Sequence, residues 1–263
     1  CLNDFYVVSL FGIPDADADA VADAEGALLT EKALAFGLRR GAQRHSRRFL
    51  YADLPAGMDE FLASRSRSFR RWMRRAERDA RAFGDANGGF RVAEFRGETI
   101  EAGLERLFSL EQKSWKVSTQ RRRELHMQLD ARDRAFHRDA AIAFAAEDRA
   151  QILVTEIGGK PVNALYCLEQ GGASCGVLTY QDASSAGNVS VTALWARYFE
   201  LAIERGLTRV DFNGNNDYLA RFASDGVEAR RLVFFGDGRR SRLLRWLSDG
   251  STAIGRKLSR KRA

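Results

Sequence analysis

Three strand-like runs in succession constrain the fold of this chain more than any other feature. The runs cover residues 152–157, 162–169 and 174–180, and glycines occupy the joints between them at 158–159 and 171–172. Short glycine-containing joints between apolar runs are typical of hairpin turns. The sequence therefore predicts three neighbouring strands connected by two hairpins.

A helix and a further strand follow these runs. Residues 181–190 form a polar loop, 191–205 predict a helix, and 209–212 predict a short strand. The helix begins directly after a central strand, and small residues precede it, including Gly187, Asn188 and Ser190. Backbone N–H groups at such a helix start point at an anion, so this corner is suited to a pyrophosphate.

This order of elements, strand, strand, strand, helix, strand, resembles the core of the GNAT acyltransferase fold. Three more stretches carry the resemblance: LEQKSWK at 110–116, RAFHR at 134–138 and IERGLTRVDF at 203–212. Together they resemble, more narrowly, the CelD/BcsL-type acetyltransferases, relatives of the FemAB group associated with cellulose and exopolysaccharide synthesis. The resemblance covers about residues 54–235. It implies an α/β (α+β) fold with a mixed, mostly antiparallel sheet flanked by helices.

The family commonly carries two GNAT-like halves, which predicts three segments. We expect residues 1–54 to be the remnant of an N-terminal half, 55–238 to be the acyltransferase domain, and 239–263 to be a basic amphipathic helix. The chain begins with Cys1. A missing N-terminal portion explains this more simply than a mature lipoprotein does.

The composition is that of an ordinary globular protein, with 263 residues, 45% hydrophobic residues and a net charge of +7. No apolar run reaches the roughly 20 residues that span a bilayer, and no signal peptide is evident, so we expect a cytoplasmic protein. Cys1, Cys167 and Cys175 have neither metal-ligand nor disulfide spacing. If 171–172 is a two-residue turn, Cys175 faces Leu168, and free thiols are expected.

The other helices follow from apolar periodicity. Residues 60–83, 100–115 and 130–146 predict helices, and 88–95 predicts a strand. The helix over 60–83 carries a basic face, consisting of Arg65, Arg67, Arg70, Arg71, Arg74, Arg75, Arg78 and Arg81. It fits a solvated surface, and it also fits an anionic partner such as nucleotide phosphates, tRNA, an acyl carrier protein or anionic lipid. The tail over 239–258 either caps the core or lies at a membrane surface.

Acyl transfer requires a held thioester, donors for the oxyanion and a group that takes a proton. The resemblance implies that the backbone at Leu178, Thr179 and Tyr180 polarises the thioester carbonyl of acetyl-CoA or another acyl-CoA. A plain buried strand fits these three residues equally well.

For the pyrophosphate, the candidates are the backbone amides of Asn188, Val189, Ser190, Val191 and Thr192. Ser190 also fits a simple N-cap. Related enzymes carry glycine at this corner, whereas this chain has Ser-Val-Thr at 190–192, which hinders close backbone approach. An acyl carrier protein or an aminoacyl-tRNA donor therefore stays open.

The turn over 211–222 resembles the family's Asp-Phe…Gly-Asp/Glu…Tyr-Lys segment, with leucine at 219 in place of the lysine. We expect Asp217, with its pKa raised by partial burial, to accept a proton and Tyr218 to donate one or to position the substrate. Asn213 and Arg221 are candidate substrate-binding residues. A turn-capping aspartate with a packed tyrosine is the alternative.

Glu111 and Trp115 lie four residues apart, so one helix face would present both to an acceptor groove, with Glu111 in a catalytic role. A core tryptophan beside a salt-bridged glutamate is the alternative. His137 is a candidate substrate-binding residue that would face the same cleft. No His, Asp or Glu cluster has metal-ligand spacing, so no metal is expected.

These observations predict an acyltransferase that moves an acyl group, for example acetyl, onto a sugar or amine during exopolysaccharide or envelope synthesis. Two alternatives stay open. One is a FemAB-like transferase that uses aminoacyl-tRNA, and the other is an inactive GNAT module that binds a partner protein.

Overall fold

The computed structural model describes residues 6–9, 35, 39–40, 44–114, 131–185 and 187–235, together with the single residues 242, 243 and 246. The strands are β1 (Tyr6–Ser9), β2 (Arg39–Arg40), β3 (Arg44–Asp53), β4 (Phe90–Phe95), β5 (Ala150–Ile157), β6 (Lys160–Gln170), β7 (Ala173–Gln181), β8 (Arg209–Asp211) and β9 (Asp225–Phe235). The helices are α1 (Met58–Ala63), α2 (Arg67–Ala86), α3 (Ile100–Glu111), α4 (Ala131–Ala145) and α5 (Val191–Glu204). Short 3₁₀ turns lie at Gly97–Thr99 and Leu219–Arg221.

The described chain divides into two compact units. The smaller unit takes its described residues from Cys1–Leu50, Gly214–Asn216 and Asp225–Ala263. In it, β1 and β2 pair antiparallel with β9, and the first part of β3 lies next to β9. The domain boundaries predicted at residues 54 and 238 stay predictions.

The larger unit, Tyr51–Asn213 with Asp217–Ser224, contains the predicted core. Its strands follow the order β4, β5, β6, β7, β8 and then the end of β3. Neighbouring strands are antiparallel except β7 and β8, which are parallel. This confirms the mixed, mostly antiparallel sheet, and the pairing of Leu168 with Cys175 confirms the predicted hairpin register.

Helices cover both faces of this sheet because each helix buries one apolar side. On one face, α3 and α4 pack through residues such as Leu104, Leu107 and Ala141 against β5 and β6. On the other face, α2 and α5 meet through Ala76, Ala80 and Ala193. An aromatic cluster extends this second face, and its members are Phe61, Phe69, Trp72, Trp195, Tyr198, Phe199, Phe212, Tyr218 and Phe222.

Three predicted elements differ from the structure. The helix predicted over 60–83 is two helices, because the Ser66 hydroxyl accepts a hydrogen bond from the Phe69 N–H (3.1 Å) and starts a new helix there. The helix predicted over 100–115 ends at Glu111. The basic segment 37–48, which showed no pattern, contains β2 and the start of β3.

Several predictions fall outside the described residues. They are Trp115 and most of the C-terminal helix. Among the residues that the structure does describe, no helix is long and apolar enough to cross a membrane.

Candidate functional site

Strands β7 and β8 pair over only three residues and then part. Ala173, Ser174 and Cys175 of β7 lie opposite Arg209, Val210 and Asp211 of β8. β8 ends there, whereas β7 continues to Gln181. The last six residues of β7 therefore keep β6 as a neighbour on one edge and have no pairing with β8 on the other.

A β-bulge marks the point where the strands part. Cys167 of β6 lies opposite Gly176, and Tyr166 lies opposite Leu178, so Val177 is the extra residue on β7. A bulge bends its strand and increases the local twist, which turns β7 away from the line of β8. Gly176 lies at this bend, and a Cβ added to it would make ordinary contacts with the Trp195 ring (3.4 Å) and the Asp211 carbonyl oxygen (3.6 Å).

The stretch of β7 beyond the bulge is paired with β6. Leu178, Thr179 and Tyr180 pair with Tyr166, Leu165 and Ala164 on the β6 side. Because successive peptide groups of a strand point to opposite edges, alternate N–H groups of this stretch point away from β6. The sequence placed the thioester-polarising backbone at these residues, and the structure places them beside the opening.

The start of α5 lies at the predicted corner. Ser190 is the N-cap, and its hydroxyl oxygen accepts a hydrogen bond from the Thr192 N–H (3.2 Å). This cap explains how a helix begins in a Ser-Val-Thr corner that lacks the family's glycine. The Ser190 side chain therefore serves the helix and leaves its own backbone N–H to face outward.

Three of the five amides predicted to bind a pyrophosphate are already used. The N–H groups of Asn188 and Val189 donate to the Ser185 carbonyl (3.0 and 2.9 Å), and that of Thr192 donates to Ser190. This corrects the prediction that all five are available. Within the described part of the chain, the N–H groups of Ser190 and Val191 have no acceptor.

Side-chain amides fix the last turn before the helix. The carbonyl oxygen of Val189, which is fully buried, accepts hydrogen bonds from the Asn163 amide (3.2 Å) and the Gln181 amide (2.8 Å). Val189 thus ties the end of β7 to the start of α5. Its predicted contact with a cofactor is replaced by a structural role.

Tyr218 lies against this corner. Its hydroxyl is 3.3 Å from the Thr192 hydroxyl, and its ring packs edge-on against Trp72 and Phe222. Burial raises the pKa of Tyr218 well above its ordinary value, although the Thr192 hydrogen bond and Arg221 act in the opposite direction. Tyr218 therefore stays protonated at neutral pH and is suited to donating a hydrogen bond.

The other predicted residues of this turn lie at the surface. Asp217 is exposed, which corrects the expectation that partial burial perturbs its carboxylate. Asn213 is exposed with a positive φ of 49°, and its N–H donates to the Asp211 carboxylate (2.7 Å). Arg221 is exposed, and its guanidinium stacks on the Trp72 ring at 5.1 Å.

Asp211 is a site residue that the sequence interpretation missed. It is the last residue of β8, so its carboxylate lies where the two strands part. Burial raises its pKa above the ordinary range, whereas the Asn213 N–H and Arg209 lower it. Only its position at the end of a strand beside an Asn-Gly turn signals it in the sequence.

Glu111 lies in a buried polar cluster on the opposite face of the sheet. Its side chain is fully buried, and its Oε2 accepts a hydrogen bond from Arg134 Nη2 at 2.6 Å. Burial first, and then the charge of Glu111, raise the pKa of Tyr180 above its ordinary value. Helix α3 ends at Glu111, and Trp115, which was predicted to share a helix face with it, lies outside the described residues. The alternative of a salt-bridged glutamate is what the structure shows.

His137 borders the same cluster. Its ring lies edge-on to the Tyr166 ring, with centroids 6.2 Å apart. Burial lowers the pKa of His137, against the opposing effect of Asp133, so the imidazole is largely neutral at pH 7. Sequence reasoning used Arg134 only as part of the RAFHR stretch and gave it no site role, and it missed Tyr166, which stands in no recognisable motif.

Two surface cavities lie away from the strand opening. One, of about 290 Å³, lies between α2, β4 and α5 beside Arg81, Phe90 and Arg197. The other, of about 540 Å³, is a shallow depression on α2. It is lined by Arg67, Arg71, Arg74, Arg75 and Arg78, which we call the arginine strip.

The arrangement beside β7 is suited to an anion. The start of α5 supplies the N–H groups of Ser190 and Val191 and the positive end of a helix dipole, and both favour a phosphate. Tyr218 adds a protonated hydroxyl next to that helix start. The part of β7 that does not pair with β8 ends nearby, where the Gln181 amide donates to the Val189 carbonyl.

The comparisons with known proteins agree with this geometry. Residues 67–221 match the model of a family described as acetyltransferase (GNAT) domain. No curated protein matches the chain in sequence.

Two solved structures are similar in fold. The crystal structure of FemX has 11% identity and a TM-score of 0.55, covering 91% of this chain and 74% of that one. The C-terminal domain of a candidate lysylphosphatidylglycerol synthetase from Agrobacterium fabrum has 14% identity and a TM-score of 0.51. That match covers 94% of this chain and 88% of the other.

Proposed function

Because this chain belongs to the acetyltransferase (GNAT) domain family, we propose that it transfers an acyl group, for example acetyl, from acyl-CoA to a sugar or amine acceptor. The observation that carries the proposal is the parting of β7 from β8 after Cys175 and Asp211. It leaves a backbone edge directly beside the helix start at Ser190.

The donor would lie along this edge. Coenzyme A, when bound, supplies the acyl group as a thioester. The backbone of residues 178–180 would hydrogen-bond the thioester carbonyl, and the N–H groups of Ser190 and Val191 would hold the pyrophosphate. Thr192 would act indirectly, by holding the Tyr218 hydroxyl in place.

The reaction requires one bond to form and one to break. The acceptor oxygen or nitrogen attacks the acyl carbon, the carbon–sulfur bond breaks, and the acceptor's proton must leave. Asp217 is the proposed proton acceptor, since an exposed carboxylate can pass the proton on to water. Tyr218, which stays protonated, would hold the leaving sulfur by a hydrogen bond, and the thiolate would take its proton from solvent.

The narrower assignment rests on the resemblance to the CelD/BcsL-type acetyltransferases. On that basis we place the reaction in exopolysaccharide or envelope synthesis. Asn213 and Arg221 would contact the acceptor from the turn that also carries Asp217.

Ser190→Asp tests the donor site. Aspartate is as good an N-cap as serine, so the helix is retained, and its charge also suits a helix start. The same charge would repel a pyrophosphate. We expect acetyl-CoA to raise the Tm of the wild-type protein and to leave that of Ser190→Asp nearly unchanged, with affinity at least about tenfold weaker by calorimetry.

Ser66→Asp is the matched control. Ser66 caps α2 in the same way, with its hydroxyl accepting from a backbone N–H (3.1 Å), but lies away from the strand opening. It should leave acetyl-CoA affinity unchanged. If wild-type protein shows no binding of acetyl-CoA or longer acyl-CoAs, or if both aspartate variants bind equally well, the acyl-CoA assignment is wrong.

A second candidate donor is an aminoacyl-tRNA, as in the FemAB group. The arginine strip favours it, because five arginines line one exposed depression. Arg75 and Arg78 share Asp79 as an ion-pair partner, whereas no carboxylate of the described chain pairs with Arg67 or Arg71. Such a surface attracts a polyphosphate backbone.

Binding of bulk tRNA at several salt concentrations separates the two donors. A tRNA donor predicts a steep fall of affinity with salt and a further loss in Arg71→Glu. Lys160→Glu makes the same charge change at an exposed hairpin residue and should have little effect. Equal tRNA binding by both variants would exclude this use of the strip.

A further inference from the structure

Two buried polar atoms on the α3 and α4 face of the sheet have no hydrogen-bond partner among the described residues. They are the hydroxyl of Tyr166 and the Nε–H of Arg134. Tyr166 is fully buried at 0% exposure. Buried polar groups in native proteins are nearly always paired, so each orphan of this kind requires an explanation.

The two orphans belong to one polar cluster. Arg134 and His137 are one turn apart on α4, and the His137 ring lies edge-on to the Tyr166 ring at 6.2 Å. Arg134 also reaches Glu111 on α3. Tyr166 and Tyr180 are diagonal neighbours on β6 and β7, because Tyr166 pairs with Leu178. The cluster therefore gathers groups from two helices and two strands.

The cluster lies close to the proposed acyl position. Tyr166 is directly opposite Leu178, the first residue beyond the bulge, and paired strands are about 4.8 Å apart. An acceptor bound beside Tyr166 would thus lie one strand away from the backbone that would hold the thioester.

We propose that Tyr166, Arg134 and Glu111 form a further acceptor subsite, separate from the contacts proposed for Asn213 and Arg221, and that this subsite takes a neutral hydroxyl-bearing molecule, a sugar, in preference to an amine. This inference rests on the proposed function for its role in transfer. It selects one of the two acceptor classes that the function leaves open.

The charges of the cluster select the ligand. The Arg134 Nε–H can only donate, whereas the Tyr166 hydroxyl can donate or accept. A ligand oxygen can accept from both, but an ammonium group has only donors and would leave the Arg134 Nε–H unpaired. Arg134 and Glu111 already neutralise each other, so neither calls for a charged ligand.

An exposed aromatic ring adjoins the cluster. Phe136 is 68% exposed, and its ring centroid is 5.4 Å from that of His137. A sugar presents both hydroxyls and an apolar C–H face. Binding sites commonly combine an apolar surface with a few convergent polar groups, and Phe136 supplies that surface here.

Saturation-transfer NMR without any donor tests the site. The probes are cellobiose, chitobiose and lactose, with n-butylamine and acetate as the charged arms. We expect at least one disaccharide to bind the wild-type protein and neither charged probe to bind. Tyr166→Phe and Arg134→Lys should weaken disaccharide binding about tenfold.

Measuring the Tm of each variant distinguishes the loss of a sugar contact from a loss of stability. Tyr166→Phe removes only an unpaired hydroxyl, so its Tm should equal or exceed that of the wild type. Tyr198→Phe is the matched control, because Tyr198 is equally buried but its hydroxyl donates to Ser174. It should lower the Tm and leave sugar binding intact.

Each possible result either supports or overturns the proposed sugar site. Unchanged sugar binding in Tyr166→Phe, binding of butylamine or acetate, or no binding of any disaccharide by the wild type overturns the sugar site. Acetyl-CoA binding, measured on the same proteins, reports on the donor separately. Sugar binding without acetyl-CoA binding would retain this site and overturn the proposed donor.

Discussion

Asp211 shows how the strand opening affects a single side chain. The residue ends β8, and its carboxylate accepts the Asn213 N–H at 2.7 Å. Burial nevertheless raises its pKa, which means that the fold disfavours the charged form. A group whose folded pKa lies above its unfolded pKa stabilises the fold in acid, and this contribution is lost as the pH rises through the folded pKa.

Asp211→Asn should therefore stabilise the protein at pH 7 relative to the wild type, and this gain should shrink as the pH is lowered below about 4, the ordinary aspartate range. The asparagine oxygen can still accept the Asn213 N–H. Urea unfolding at both pH values measures the difference.

Asp148→Asn provides a control of opposite sign. Its hydrogen bond to Arg96 lowers the pKa of Asp148, so its contribution to stability is present at neutral pH and lost in acid. This variant should lose stability at pH 7 and lose less at low pH. The same pH trend in both variants would contradict the burial argument for Asp211.

Some site residues are predictable one by one and others are not. Ser190 was a candidate N-cap because serine begins a predicted helix, and the structure shows the cap. The sequence did not single out Tyr166 and Arg134 as site residues. What marks them is that the Tyr166 hydroxyl and the Arg134 Nε–H are buried without a hydrogen-bond partner, which only the structure reveals. The sequence also did not show which backbone N–H groups at 188–192 are already hydrogen-bonded. Those of Asn188 and Val189 donate to the Ser185 carbonyl, and no local sequence pattern predicts this contact.

At the scale of elements, α3 packs very closely on the sheet at Gly103. A Cβ on this residue would lie 2.7 Å from the Phe95 Cβ and 3.1 Å from the Ile152 Cβ. Real Cβ atoms do not approach so closely, so any side chain here would push the helix away from β4 and β5. The glycine thus sets the distance between the helix and the strands.

Gly103→Ala should lower the free energy of unfolding by about 1–3 kcal/mol, because overpacking outweighs the higher helix propensity of alanine. Gly187→Ala is the control, since nothing lies within 4 Å of its added Cβ, and a change within about 0.5 kcal/mol is expected there. Urea unfolding measures both. A stability gain in Gly103→Ala would show that the packing is looser than described.

The elements themselves were largely predictable. Apolar runs and glycine joints located β5, β6 and β7, and no observed end lies more than two residues from the predicted one. The break between α1 and α2 was missed because Phe61 and Phe69 both face the core and make the apolar pattern look continuous. The bulge at Val177 was missed because it depends on the register with β6. Gly176, inside a strand, was the available signal.

At the scale of the larger unit, four ion pairs form a network that links residues at or near the ends of helices and strands. Glu169 on β6 pairs with Arg96 (2.9 Å) and Arg205 (3.1 Å). Asp148 pairs with the same two arginines at 2.9 and 3.0 Å. The Glu169 side chain is only 6% exposed, so this network is screened little by solvent.

Glu169→Gln should lower the free energy of unfolding by about 3 kcal/mol, because it leaves two arginines without their buried partner. Glu105→Gln removes an exposed partner of Arg138, 64% exposed, and should change stability by less than about 1 kcal/mol. Thermal and urea unfolding compare the two. Equal effects would mean that the network contributes no more than a surface pair.

The start of α5 also affects how fast the protein exchanges its amide hydrogens. A backbone N–H without a partner exchanges with solvent through local fluctuations, whereas an N–H in a strand ladder requires the sheet to open. The N–H groups of Ser190 and Val191, which have no acceptor among the described residues, should therefore label with deuterium rapidly, while those of β7 that face β6 stay protected. A bound pyrophosphate would slow labelling at these two residues, so its site could be located before any turnover is measured.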